Sequence, residues 1–308
     1  MNRKNFLACG GMLIRQSTIL AIVWLCIHAS QAQTFSFHNM YAPSTGARLA
    51  KDLSYSSEVK GIEPTLSAMQ IYKPDGTGPF PALVLLHTCG GLQDHVFIAA
   101  KNALQRGYVV YIIDSFTQRS VDSVCMSWKN GVTFARGVRD VLLAAEQLRT
   151  LSFVSKNKVA MVGFSWGGIV GLLAANQEGI RAAGGNPFNA VTVFYPVCQL
   201  FPGGSIPPYS VVSSQIKTPL LVLMGGKDTE APPEECLREL QPAKQSGAAI
   251  HWHIYENAYH VWDSPRLNGF RKVDRRGTQV EYHYDVAIAD NSYDRMFTHF
   301  DNSFINKP

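Results

Sequence analysis

Apolar runs and stretches of helical period alternate along the chain from about Leu66 onward. Leu66–Tyr72, Pro81–His87, Tyr108–Asp114, Lys158–Gly163, Ala190–Tyr195, Pro219–Met224 and Ile250–Tyr255 read as strands. Ala82-Leu-Val-Leu-Leu86 and Leu220-Leu-Val-Leu-Met224 show no polar alternation, as strands covered on both faces require. Helical spacing fills the gaps. Val96–Arg106 is stopped by Gly107, residues 132–151 carry a stripe of Phe134, Val138, Val141, Leu142, Ala145 and Leu148, and Trp166–Asn176 is built of small residues. A closing helix is expected over Tyr284–Ile305, with Val286, Tyr293, Phe297, Phe300 and Phe304 on one stripe. The pattern predicts an α/β fold with a mostly parallel sheet of about eight strands and helices on both faces. It shows no linker and no repeat, so residues 33–308 are expected to form one domain.

The first 32 residues break this pattern. Arg3, Lys4 and Arg15 precede the apolar run Ile19–Ile27, and the small residues Ser30 and Ala32 follow it. That order predicts a signal peptide cleaved near Ala32, because the run is too short to span ~30 Å of hydrocarbon. The leader also accounts for most of the basic excess. The full chain has 28 Lys and Arg against 23 Asp and Glu; without those three residues 25 basic face 23 acidic. So small a charge, with no basic cluster of the needed kind, argues against a nucleic-acid partner. An exported protein meets oxidising conditions, under which Cys89, Cys125, Cys198 and Cys236 admit three pairings or none. No cysteine and histidine spacing suits a zinc site.

The candidate chemistry sits at strand ends. Gly163-Phe-Ser-Trp-Gly-Gly168 joins an apolar strand to a small-residue helix, a Gly-x-Ser-x-Gly turn in which glycines flank the serine where Cβ atoms would clash. Ser165 is the expected nucleophile. Asp228, just past the strand ending at Met224, is the expected acid; Glu230 and Glu234 are its alternatives. His260, five residues beyond Tyr255, is the expected base, and the order serine, acid, histidine matches that of α/β-hydrolases. An oxyanion needs fixed donors. The Trp166 amide opens the helix after the serine, and His87-Thr-Cys-Gly-Gly91 should supply the second donor from Cys89. Thr88 is the competitor there and a candidate substrate contact. Polar or Gly- and Pro-rich stretches over 116–131 and 201–214 are candidate substrate walls. His251 and His253 share one face of a strand without further ligands. Arg266, Arg271, Lys272, Arg275 and Arg276 form a basic group that is either solvated or turned toward an anionic substrate.

With these residues placed, the chain from about Leu66 onward resembles the dienelactone hydrolase family of α/β-hydrolases, especially its exported bacterial members. The resemblance is carried by Val84-Leu-Leu-His-Thr-Cys-Gly-Gly-Leu92, Gly163-Phe-Ser-Trp-Gly-Gly168, Met224-Gly-Gly-Lys-Asp228 and Tyr255-Glu-Asn-Ala-Tyr-His260. It implies the α/β-hydrolase fold, a carboxylic ester or lactone as small-molecule substrate, and no cofactor or metal. The namesake enzymes carry cysteine at the elbow and glutamate directly after the oxyanion-loop histidine, where this chain has Ser165 and Thr88. The implied chemistry is therefore that of a serine esterase. In such a fold the strand ending at His87 lies beside that ending at Asp114, and the strand ending at Tyr195 beside that ending at Met224. This arrangement implies bridges Cys89–Cys125 and Cys198–Cys236. The expected protein is periplasmic or secreted, is not inserted in a membrane after cleavage, and is a monomer or small homo-oligomer. A peptidase or amidase of the same fold, or a non-catalytic binding protein on it, is the alternative.

Overall fold

The computed structural model describes residues 69–126, 132–200 and 208–305, and its core is one seven-stranded sheet. The expected leader and residues 66–68 of the first expected strand lie outside the described residues. The sheet strands are β1 (Ile71–Tyr72), β2 (Phe80–Leu86), β3 (Val109–Ile113), β4 (Val154–Phe164), β5 (Ala190–Phe194), β8 (Leu220–Gly225) and β9 (Ile250–Tyr255), in the order β1-β3-β2-β4-β5-β8-β9. Only β1 runs antiparallel to its neighbour. The sheet is thus mostly parallel, with seven strands among the described residues against about eight expected. The neighbours β2 with β3 and β5 with β8 are as expected.

Alternate residues of β2 explain why its sequence is apolar throughout. Ala82, Val84 and Leu86 face one layer, and Leu83 and Leu85 face the other; all five are fully buried. Helices α2 (Phe134–Thr150), α3 (Trp166–Ala174) and α5 (Pro233–Gln245) cover the first face. Helices α1 (Asp94–Gln105) and α6 (Val286–Ile305) cover the second. Helix α4 (Gln177–Ala183) follows α3, with the Asn176 side chain accepting from the Glu178 amide at its start and Gly184 in the left-handed region at its end.

The expected stripe on the last helix is present from Tyr293 onward: Tyr293, Phe297 and Phe300 are buried, Phe304 packs partly buried against them, and Val286, the first residue of α6, is 57% exposed. Several elements were not expected, α4 among them. Helix α5 buries only Pro233, Cys236, Leu240 and Ala243, too sparse a stripe to stand out from its polar surroundings. The hairpin of β10 (Arg271–Val273) and β11 (Gln279–Glu281) is mostly exposed, so no apolar alternation marks it. A second small pair, β6 (Gln199–Leu200) with β7 (Tyr209–Ser210), borders residues 201–207, which lie outside the described residues. Parallel pairing brings the C-terminal ends of β2, β3, β4, β5, β8 and β9 to one edge of the sheet, where ligand loops of α/β folds gather.

Candidate active site

Ser165 occupies the turn between β4 and α3 with φ +50° and ψ −105°. L residues avoid that region at a cost of about 1–3 kcal/mol, so the surroundings must hold the conformation. Both flanking glycines are forced. A Cβ on Gly163 would lie 2.0 Å from the Gly167 carbonyl oxygen, and one on Gly167 would lie 2.5 Å from the Leu86 oxygen. The Ser165 amide donates to Phe194 O (2.9 Å) and the Gly167 amide to His87 O (3.1 Å), tying the turn to β5 and to the end of β2.

The loops after β8 and β9 bring the acid and the base to this serine. The Ser165 hydroxyl donates to His260 Nε2 at 3.0 Å, and His260 Nδ1–H donates to Asp228 Oδ2 at 2.6 Å. The second carboxylate oxygen accepts from the Glu230 and Ala231 amides at 2.9 and 2.8 Å, which fixes Asp228 in its loop. All three side chains are buried. Burial disfavours an imidazolium, yet the facing Asp228 and Glu230 carboxylates outweigh it and hold the His260 pKa above its ordinary value. The alternative acids are elsewhere. Glu234 is exposed on α5, and Glu230 lies on the other side of the imidazole, 3.9 Å from Nε2.

His260 is steadied by groups that the sequence reading did not single out. Tyr195, at φ +39°, packs against its ring at a tilt of 59° with centroids 4.8 Å apart, and the Tyr195 hydroxyl donates to Asp263 at 2.8 Å. Tyr293 from α6 donates to the other Asp263 oxygen at 3.3 Å. Asp263 follows His260 by three residues, so this buried carboxyl anchors the base's loop to the sheet and to the last helix. Burial pushes its pKa up to about 7, against the opposing pull of the two hydroxyls.

The turn at 87–91 lies over the elbow. His87 is buried, and burial lowers its pKa. Its Nε2 accepts from the Ser115 amide at 3.1 Å, so its proton resides on Nδ1, which donates to Thr88 O at 2.7 Å. The ring stacks on Trp166 at 5.7 Å. Gly91 donates to Thr88 O (3.1 Å) and Val124 donates to Cys89 O (2.9 Å). Cys89 is bridged to Cys125, and Cys198 to Cys236, the pairing the resemblance implied. The Cys89 sulfur is held in a disulfide and is therefore no thiol nucleophile. Behind the turn, Asp140 receives the Arg119 guanidinium through two bonds of 2.7 and 2.8 Å and the Ser115 hydroxyl at 2.8 Å, securing the start of the loop after β3.

A cavity of about 410 Å³ opens at the serine. Cys89, Trp166, Ile169 and Glu230 border it near the serine, with Val124 and Cys125 on one wall and Val197 and Leu200 on another. The first expected wall loop is thus present, whereas 127–131 and 201–207 lie outside the described residues. Thr88 does not line this cavity. Its Oγ1 accepts from the Gly90 amide and shapes the turn instead, so its place differs from the expected substrate contact. The third wall is Asp274, Arg275 and Arg276 from the hairpin β10–β11, so two residues of the basic group border the cavity. Most of the basic group is engaged there. Arg271 pairs with Glu281, Lys272 with Glu230, and Arg276 with Asp274, Glu235 and the carbonyls of Thr229 and Glu230. His251 and His253 lie on β9, the outermost strand at that side of the sheet. Among the described residues no helix is long and apolar enough to cross a membrane.

The dienelactone hydrolase family profile matches residues 68–304. A Yersinia pestis protein named for carboxymethylenebutenolidase is 27% identical over 207 residues, covering 63% of this chain and 73% of its own. The fold is shared with a Klebsiella pneumoniae protein named as a dienelactone hydrolase, at TM-score 0.58 and 18% identity over 74% of this chain and 89% of that one. It is shared too with a thermophilic esterase from Thermogutta terrifontis bound to propionate, at TM-score 0.55 and 18% identity over 77% and 90% of the two chains. A match spanning nearly the whole described region, on an α/β-hydrolase sheet, means that the chain belongs to the dienelactone hydrolase family and is a carboxylic ester hydrolase.

Proposed function

We propose that the protein cleaves a small carboxylic ester or lactone through an acyl-enzyme on Ser165. The observation that carries this reading is the continuous relay from Ser165 Oγ through His260 to Asp228, at 3.0 and 2.6 Å, at the mouth of the cavity. Ser165 Oγ attacks the carbonyl carbon while His260 Nε2 takes its proton. Asp228 keeps the other proton on Nδ1 and balances the imidazolium charge. The developing oxyanion is received by the Trp166 amide, the first of α3 and so without an intrahelical acceptor, and by the Cys89 amide. Collapse expels the alcohol, which takes the proton back from Nε2, and water repeats the sequence on the acyl-enzyme. No cofactor enters these steps.

The same reading places the protein outside the cytoplasm, in the periplasm or secreted. Its support is the pair of disulfides together with the charged, apolar and small-residue order of residues 1–32. The deciding experiment is Ser165→Ala assayed on p-nitrophenyl esters and simple lactones. Turnover should fall by about 10⁴–10⁶-fold, and fluorophosphonate labelling should vanish. Hydrolysis by the variant at the parental rate would overturn the assignment.

A further inference from the structure

Glu230 is a second carboxylate near the same histidine, on the side of Nε2, the nitrogen bonded to Ser165. It borders the cavity beside Ser165 and is 16% exposed. Its Oε2 accepts from the Tyr282 hydroxyl at 2.6 Å and lies 3.9 Å from His260 Nε2; its Oε1 accepts from Lys272 Nζ at 2.7 Å. Its own amide is bonded to Asp228. Backbone and both side-chain oxygens are thus held, in a place where a mobile surface glutamate would have been enough for solubility. Burial alone would raise its pKa, but His260, Lys272 and Tyr282 reverse that and keep it ionised.

We infer that Glu230 is a catalytic residue of deacylation, the group that holds the attacking water. The inference rests on the Ser165 acyl-enzyme reading. Once Ser165 is acylated, its oxygen no longer donates to Nε2, and that nitrogen is free to accept from water. A water about 2.8 Å from both Nε2 and Glu230 Oε2 across this gap has an angle near 90° at its oxygen, within reach of two hydrogen bonds. One hydrogen points at the carboxylate, the other at the imidazole, and a lone pair is left for the acyl carbon. In the step, the water O–H bond to Nε2 breaks and the proton moves to His260. The water oxygen bonds to the acyl carbon, and the carbonyl electron pair moves to the oxyanion. Collapse then breaks the bond to Ser165 Oγ, which takes the proton from Nε2 and leaves the carboxylic acid. Glu230 keeps its charge throughout. During acylation the alcohol portion of the substrate occupies this side of Nε2, so the carboxylate's work falls in the second half of the cycle.

The test is stopped-flow hydrolysis of p-nitrophenyl butyrate by Glu230→Gln, with intact-protein mass spectrometry of the quenched reaction. We expect a burst of about one p-nitrophenolate per enzyme, a steady state slower by about 10²-fold, and an accumulated butyryl adduct. Fluorophosphonate, which reports only the first half of the cycle, should label the variant within a few-fold of the parental rate. Tyr282→Phe, which releases Oε2 but leaves the carboxylate, should give a smaller effect with the same signature. Unchanged turnover, or a loss of turnover without a burst or adduct, would overturn the role of Glu230. Failure of the underlying reading looks different, since Ser165→Ala would then retain hydrolysis whatever Glu230 does.

Discussion

Removing the bridge between Cys89 and Cys125 separates what holds the fold from what holds the oxyanion turn. The perturbation is Cys89→Ala with Cys125→Ala. The bond closes a loop of sequence separation 36, for which chain entropy gives about 3.8 kcal/mol at 25 °C; the Cys198–Cys236 bridge, at separation 38, gives about 3.9 kcal/mol by the same relation. Urea denaturation should therefore show nearly equal losses for the two double variants. Catalysis should not follow suit. The first bridge fixes the residue whose amide is proposed to receive the oxyanion, and after its loss the turn keeps its hydrogen bonds, Val124 to Cys89 among them, but no longer has its covalent tie to residue 125. One oxyanion donor contributes about 10²–10³-fold, so partial disorder of this one should lower kcat about tenfold, with the Cys198/Cys236 variant affected less. Both variants should be assayed where each is fully folded. A Cys89/Cys125 variant that loses the expected stability yet keeps parental kcat would refute the argument.

The pH profile of kcat/KM should have an acid limb above pH 6.5. The proposed attack by Ser165 needs neutral His260, and burial, which lowers its pKa, is outweighed by Asp228 and Glu230 even with Lys272 opposing them; Glu230→Gln should move the limb to lower pH. The sign for stability is opposite, since a raised histidine pKa contributes stability below about pH 6.5 that fades as pH climbs through the folded value. Asp263, pushed by burial from 3.8 to about 7, holds its proton more tightly folded than unfolded, so its contribution is full below 3.8 and is lost by pH 7. In melting experiments, Asp263→Asn should gain on the parent from pH 5 to pH 8; a constant difference would contradict this. Gly163→Ala must push a Cβ into the backbone 2.0 Å away and should give insoluble protein or a loss above about 3 kcal/mol. Gly107→Ala, at φ +80° with nothing within 4 Å, should cost only about 1–2 kcal/mol.

The sheet and its relay were legible because their signals are local. A buried parallel strand leaves a continuous apolar run, and a nucleophile elbow leaves glycines at fixed offsets from a serine. Asp228 and His260 were readable from their places just past such runs. The rest depends on distances in space. Tyr195 and Asp263 are 68 residues apart and meet only because β5 and the loop after β9 converge on one sheet edge. The hairpin over 271–281 buries only Val280, so its sequence carries no apolar period to find, and its place as a cavity wall appears only in the folded chain. Lys272 read as one of a basic group for the same reason, since its carboxylate partner lies 42 residues earlier. Thr88 was placed correctly along the chain but not in orientation, because which way a hydroxyl turns is decided by the amide nearest to it.

That hairpin divides the labour of the molecule. The relay is mounted at the ends of buried strands, and its three side chains are themselves buried. Residues 271–281 instead clip onto the active-site loops through a few outward contacts: Arg276 to Glu235, Lys272 to Glu230, and the Thr229 hydroxyl to Gln279 O. A change in its turn, at residues 274–276, alters a wall of the cavity without touching a strand of the central sheet, whereas Lys272 ties the same hairpin to Glu230. What borders the cavity on this side is therefore set by a hairpin outside the central sheet, not by the strands whose ends carry the relay.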